Sequence, residues 1–445
     1  MKLSRKIATG LVAALAFTSA SAGVSHAAVT ITGSGSTFIK NLFDACGPTW
    51  NDTNAADATV SYSGGGSGAG RTAFTGGSVN FAGTDSTYAS SDTPPSDYTY
   101  VPIIAGPVAI LYKNNSYAGT LKLSASTLAK IFSGAITNWS DADITADNGS
   151  ALSSKTIVVV YRSDSSGTSS GFTSYLNAAA PTVWTKAGSS TFTSSAPSGA
   201  PTGSQAKSGS DGVTNYVAAT DGAISYAELS YQLEASADGV KSAYVKNAAG
   251  TAIKPTSVSA AAAASAIPTA NFNETTGFIN PDFTTSVATA YPITIFSFGI
   301  AHKTYSAAND SVKDFLNYSL TTCASAQAPS LGYATLTSTA LTFAKKRLAL
   351  VSSVDRPVAT TTTLAPVKGV SVKVGKTISA MTVAKGSKLT IATTAKVTLK
   401  VTSGDKVCKV VGATLKGLKK GTCKVLATVK TGTKTATATV TVTVS

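Results

Sequence analysis

Three short segments carry residue types suited to holding an anion, and they repeat one design. Gly33-Ser34-Gly35-Ser36-Thr37, Gly64-Gly65-Gly66-Ser67-Gly68 and Arg162-Ser163-Asp164-Ser165-Ser166-Gly167-Thr168 each follow a short apolar run and precede a helical pattern. A glycine-rich turn at a helix start leaves main-chain N–H groups without helical partners, sets hydroxyl donors beside them and adds the positive end of the helix dipole. Each segment is therefore a candidate anion cradle, although a Gly-Ser loop after a strand is more often a plain connection. Arg162 beside the third loop and Asp85 just past the run Val79–Ala82 contribute a cation and an acid. Taken singly, the first reads equally as a surface cation and the second as a helix cap or turn residue.

Other chemistries find less support. The chain has two histidines: His26 lies near the N-terminus, and His302, after an apolar strand, reads better as a packed strand-end residue than as a general base. No G-x-S-x-G elbow stands at a strand-to-helix turn with a histidine to serve it, and no His/Cys/Asp group has metal-ligand spacing. No catalytic residue, metal or cofactor is expected. Gly369…Gly375-Lys376-Thr377 resembles a P-loop with one residue too many, in all-β sequence. Gly64-x-Gly66-x-x-Ala69 is a dinucleotide match without an acidic partner. A secreted phosphatase or serine hydrolase remains the enzymatic alternative, and a surface adhesin or structural protein the non-enzymatic one.

The elements that must position these residues read as an α/β body. Val29–Thr32, Val60–Tyr62, Val79–Ala82, Ile103–Tyr112 and Ile157–Tyr161 have strand character. Phe38, Ile39, Leu42, Phe43 and Cys46 share one helical face, and Gly47-Pro48 is expected to stop that helix. Ser126–Phe132, Gly171–Ala179 and Val312–Leu320 are further helical patterns. All three glycine-rich loops thus lie at carboxyl ends of strands, where open α/β sheets bind ligands.

At 445 residues the chain is too long for one ordinary domain. Residues 1–28 have the layout of a secretory signal peptide, with Lys2, Arg5 and Lys6 before the apolar run Ile7–Phe17 and small residues to follow. That run is too short to span a bilayer, and no cysteine at the cleavage site offers a lipid attachment, so a secreted or wall-associated protein is expected. Residues 351–365, with Thr360–Thr363 between Pro357 and Pro366, read as a stiff linker. Residues 366–445 alternate Val, Thr and Lys with Gly turns and read as a small all-β sandwich; Val407–Val444 resembles bacterial immunoglobulin-like surface domains. The four cysteines, Cys46, Cys323, Cys408 and Cys423, include no CxxC pair and favour structural disulfides; the Cys408–Cys423 spacing suits a bridge between neighbouring strands.

The net charge of +15 is unevenly spread. Pro366–Ser445 holds 15 lysines, no arginine and one acid, Asp405, whereas the body between signal and linker is close to neutral. Nucleic-acid binding by the body is unsupported. The lysines serve either as a solvated face that keeps a β domain soluble or as a cationic hold on anionic cell-wall polymers.

Gly33-Ser34-Gly35-Ser36-Thr37-Phe38, Ser67 within its glycine run, Val79-Asn80-Phe81-Ala82-Gly83-Thr84-Asp85 and Arg162 to Ser169 resemble, in order and spacing, the ligand-binding segments of the PstS family of periplasmic phosphate-binding proteins. Leu128–Trp139, Gly209–Tyr226 and Pro292–Lys303 match as well, so the resemblance spans about Thr30 to Leu336. It implies a two-lobe type II periplasmic-binding-protein fold with two chain crossings: lobe one from 29–112 and 293–350, lobe two from 113–292. It implies that Thr37, the Phe38 amide, Ser67 and Asp85 bind inorganic phosphate from lobe one, that Arg162, Ser166, Gly167 and Thr168 close on it from lobe two, and that Asp164 holds the Arg162 guanidinium. Both Cys46 and Cys323 then fall in lobe one, which allows a disulfide between them. An ABC phosphate permease would be the membrane partner, and the binding protein itself a monomer. Asp85 would accept the proton that phosphate retains at neutral pH; sulfate, lacking one, would oppose two negative charges.

Overall fold

In the computed structural model, which describes residues 28–356, 369–387, 391, 395–431 and 434–445, Val29–Gly35 (β1) pairs in parallel with Ala58–Ser63 (β2) on one side and with Phe81–Thr84 (β3) on the other. The sheet continues through the antiparallel strand Thr294–His302 to Tyr98–Tyr112 (β4), and then through Ala223–Glu228, Val158–Arg162 and Gln205–Lys207. The long strand β4 serves both halves of the sheet. Tyr98 to Pro107 pair with Thr294–His302, and Val108 to Tyr112 pair with Ala223–Glu228. This is a mixed α/β fold, and the chain divides into two units with the boundary between Val354 and Asp355. The segment 1–27, where most of the expected signal peptide falls, and most of the expected linker lie outside the described residues.

The helix after β1, Thr37–Asn54 (α1), shows sequence reasoning overruled. Gly47-Pro48 was expected to end it, yet the helix runs through Pro48, a placement that costs about 3 kcal/mol in an ordinary helix interior. Packing beyond the proline offsets this. Trp50 is buried edge-on against Phe315, a burial contributing about 2 kcal/mol, and Asn51 donates to Val60 O at 3.0 Å while accepting from Val60 N–H at 2.7 Å. Two residues before the proline, Cys46 is bonded to Cys323. The strand expected at Val79–Ala82 forms two residues later as β3, because Asn80 is spent on the neighbouring strand: its side chain accepts from Thr32 N–H and its own N–H donates to Thr32 O, both at 2.8 Å.

The second unit contains two sheets. One orders Val370–Val372, Lys434–Val444, Gly421–Thr431 and Lys396–Ser403; the other orders Thr377–Ser379, Thr414–Gly417 and Cys408–Val411. Val372, Val383, Leu415, Val425 and Val442 fill its core. Two expectations need correction. The unit is not all-β, since Ala380–Lys385 is a helix: Ser379 caps it by accepting from Thr382 N–H, and Val383 and Ala384 bury fully. Cys408 and Cys423 are bonded as expected, but they tie one sheet to the other instead of linking strands of one sheet, since Cys408 pairs within the three-stranded sheet and Cys423 within the four-stranded one.

Candidate functional site

The short strand β3 delivers Asp85 to a point where hydroxyls from three other segments converge. Ser36, which ends the turn after β1, caps α1 by accepting from Phe38 N–H at 3.0 Å and turns its own hydrogen toward the Asp85 carboxyl, with both oxygens 2.7 Å away. Ser297, from the strand Thr294–His302, donates to Asp85 Oδ1 at 2.5 Å. Ser67, first residue of the helix Ser67–Thr75 (α2), donates to Oδ2 at 3.3 Å and accepts from the Asp85 N–H at 3.2 Å. Burial pushes the Asp85 pKa up to about 6, against the pull of the Ser297 and Ser36 hydroxyls, the Arg162 charge and Ser67. At neutral pH the group is therefore mostly an ionised acceptor. Arg71 steadies the residues on either side, since its buried guanidinium donates to Thr84 Oγ1 at 3.2 Å and to Ser86 Oγ at 2.7 Å.

The other half of the sheet supplies a buried cation. Arg162, the last residue of its strand, forms a fork with Asp164, Nε to Oδ1 at 2.7 Å and NH2 to Oδ2 at 2.5 Å. Burial disfavours the charge on each partner, but the fork outweighs it, holding the Asp164 carboxyl below its usual range and the guanidinium above its own. The free arm, NH1, donates to Ser210 Oγ at 3.0 Å. Ser210 Oγ also lies 2.8 Å from Glu228 Oε2 and 2.9 Å from Thr37 Oγ1, and Ser210 N–H donates to Thr37 Oγ1 at 3.3 Å. Thr37 from α1 is thus tied to the surroundings of Arg162.

A second tie joins Ser67 and Gly167. Gly167 N–H, at the start of the helix Gly167–Ala179, donates to Ser67 Oγ at 3.2 Å, and Gly68 N–H donates to Ser165 O at 2.9 Å. Two helix N-termini, α2 and Gly167–Ala179, therefore meet on either side of Asp85. Beside this contact lies a cleft of about 470 Å³ whose walls include Gly68, Arg71, Tyr88 and Ser165.

The structure gathers Ser67, Asp85 and Gly167 into one hydrogen-bonded set and Thr37, Arg162 and Asp164 into another, and the two adjoin where Thr37 follows Ser36 in the chain and where the Arg162 charge acts on Asp85. Phe38 N–H faces the Ser36 cap. Ser166 Oγ, fully buried, caps its own helix by accepting from Ser169 N–H at 3.1 Å, and Thr168 is buried one position into that helix. Sequence reasoning missed Ser36, Arg71, Ser210, Glu228 and Ser297. The signal for Ser36 lay inside the first loop, since a serine before an apolar helical face is an N-cap. Glu228 ends the apolar strand Ala223–Glu228 and, like Ser297, reaches the site only through the order of strands in the sheet. His302 accepts the role foreseen for it: its ring stacks on Phe74 and Nδ1 lies 2.8 Å from Asp97 Oδ1. Among the described residues no group of His, Cys, Asp and Glu could hold a metal ion, and no helix is long and apolar enough to cross a membrane.

Residues 20–322 match the family described as the PBP superfamily domain. The chain belongs to that superfamily. The PBP match contains every residue of the network and stops short of the Asp355–Ser445 unit. Among curated proteins, the chain is similar to phosphate-binding protein PstS 2 of Mycobacterium tuberculosis, 39% identical over 182 residues, which cover 39% of this chain and 47% of that protein. It is also similar to phosphate-binding protein PstS of Xylella fastidiosa, 34% identical over 241 residues, or 53% and 63% of the two chains. The chain thus spans about half the length of curated relatives such as the mycobacterial PstS proteins. Among solved structures, this PBP fold is similar to one described as a high affinity periplasmic phosphate-binding protein (PfluDING) bound with phosphate, at 27% identity and a TM-score of 0.58 over 72% of this chain and 92% of that one. A human phosphate binding apolipoprotein gives 26% identity and a TM-score of 0.56.

Proposed function

We propose that this protein binds inorganic phosphate outside the cell and is the substrate-binding component of an ABC phosphate importer, without turning its ligand over. One observation carries the reading: a buried carboxylate dressed by hydroxyls and a buried arginine fork are brought together by two helix N-termini, Ser67–Thr75 and Gly167–Ala179. A tetrahedral oxyanion needs many short donors and one planar cation, and this combination supplies both. Thr37, the Phe38 amide, Ser67, Asp85, Arg162, Ser166, Gly167 and Thr168 are its ligands, with Asp164 fixing Arg162. The Ser67–Gly167 hydrogen bond is exchanged for bonds to phosphate oxygens. Asp85, ionised at neutral pH, accepts a hydrogen bond from the proton that bound phosphate retains, and this excludes sulfate, which has none to donate.

Residues 29–112 with 293–350 form one lobe and 113–292 the other, closing by rotation about β4 and the strand Thr294–His302. The protein is exported as a monomer by a signal peptide in residues 1–28, and its second unit is an immunoglobulin-like module that holds anionic wall polymers. What supports that hold is positive charge: exposed Lys400, Lys424 and Lys430 share one side of the four-stranded sheet. Salt extraction of cells tests it, because a tail-deleted protein that stays equally bound would end the idea.

Equilibrium dialysis of phosphate-stripped protein with labelled phosphate, with sulfate as competitor, tests the phosphate reading. Saturable uptake at one site per chain that excess sulfate does not displace is expected; absence of uptake, or equal displacement by sulfate, would overturn it.

A further inference from the structure

The network contains a carboxyl group that the phosphate reading does not use. Glu228 is fully buried behind Ser210, with Oε2 2.8 Å from Ser210 Oγ and Oε1 meeting no donor at hydrogen-bonding distance. The charged and titratable groups facing it are Arg162, whose guanidinium already forks with Asp164, then Asp85, Tyr231 and Tyr333. An ionised carboxylate in such a place would have one oxygen without a donor and would repel both Asp85 and an incoming anion.

Hydrogen counting along Glu228, Ser210 and Thr37 turns this into a functional statement. Ser210 has one hydrogen, and its oxygen already accepts from Arg162 NH1. If Glu228 is ionised, Ser210 must donate to it; Thr37 must then donate its own hydrogen to Ser210 Oγ, and nothing is left to offer an anion. If Glu228 carries a proton, it donates to Ser210, Ser210 donates to Thr37 Oγ1 at 2.9 Å, and the Thr37 hydrogen is free to point outward.

We propose that protonated Glu228 is a positioning residue that aims the Thr37 hydroxyl at the bound anion through Ser210, so that phosphate is held by the form of the protein with this proton in place. The inference rests on phosphate being the ligand. Burial raises the Glu228 pKa to about 8, against its own main-chain amide, the Arg162 charge and the Ser210 hydroxyl, which puts the proton in place at neutral pH and removes it in alkali.

The test is the phosphate dissociation constant of the full chain and of Glu228→Gln, measured from pH 6.5 to 9.5. The amide of glutamine donates to Ser210 at every pH. Changes in the phosphate ion itself are common to both proteins and cancel in the ratio of their constants. Wild type is expected to bind about as tightly as E228Q below pH 7 and to fall behind by about tenfold or more at pH 9.5, the scale of one hydrogen bond to a charged group. Parallel profiles would overturn the inference while leaving phosphate binding intact, whereas no phosphate binding by wild type at pH 7 would overturn both. Should E228Q fail to fold, calorimetry of wild type at pH 8.5 in buffers of different ionisation enthalpy decides the matter. Proton uptake by the protein on phosphate binding is expected, and none would overturn the role.

Discussion

Gly167 stands so close to Asp85 that a methyl group on its α-carbon would lie 2.6 Å from Asp85 Oδ2, and equally close to Ser67 Oγ. No side chain fits between the two halves of the network at this point. The approach lets the first amide of the helix Gly167–Ala179 reach into the hydroxyl set around Asp85.

Gly167→Ala should therefore weaken phosphate binding by at least about tenfold. The clash falls between groups supplied by the two halves of the sheet, so the ligand-free melting temperature should stay within a few degrees of wild type, about 1 kcal/mol of stability. The phosphate-induced rise in melting temperature, measured by scanning calorimetry, should shrink accordingly.

Asp85→Asn should narrow the preference for phosphate over sulfate. The amide keeps the size but loses the charge, and it gains hydrogens to offer an unprotonated oxygen. Paired titrations at pH 7 should show the ratio of the two affinities falling by at least about tenfold. Unchanged discrimination would mean that the carboxylate does not select the ligand.

Stability should depend on pH in a direction set by two buried acids. Burial raises Asp85 from 3.8 to about 6 and Glu228 from 4.5 to about 8. The folded protein holds these protons more tightly than the unfolded chain, so the stabilisation is complete below pH 4 and is lost as pH rises through 6 and then through 8. The ligand-free melting temperature should thus decline from pH 5 to pH 9. D85N should remove the lower part of the decline and E228Q the upper part. Asp97, Asp147 and Asp164, held below their usual range, act in the opposite sense, but only in acid.

The two disulfides should differ in weight. Cys46 and Cys323 are separated by 277 residues and Cys408 and Cys423 by 15, so loop-closure entropy assigns them about 6 and 3 kcal/mol respectively. Urea unfolding of the Cys46→Ser/Cys323→Ser and Cys408→Ser/Cys423→Ser double variants should reproduce that order.

The loops that form the candidate site were legible because their parts are local, whereas the role of each residue in them came from the family resemblance. Arg162 and Asp164 are two residues apart, Ser36 and Thr37 adjoin, and Gly167 opens the helix its loop announces; strand, turn and helix start are short-range signals. Ser297 and Glu228 were not legible in the same way. Each sits on an apolar strand far along the chain and reaches the network only through sheet order, which no local pattern encodes. Pro48 failed as a helix stop because Trp50 and Asn51 find tertiary partners beyond it. Cys408 and Cys423 were paired correctly but misplaced between strands, since their 15-residue spacing does not reveal which sheet each strand joins.

The most direct test of the central claim is a diffraction structure of the protein crystallised with phosphate. One tetrahedral anion is expected between Asp85 and Arg162, within hydrogen-bonding distance of Thr37, Ser67, Gly167 and Thr168, with the direct Ser67–Gly167 bond replaced. An anion bound tightly elsewhere, or touching only one of Asp85 and Arg162, would contradict the account.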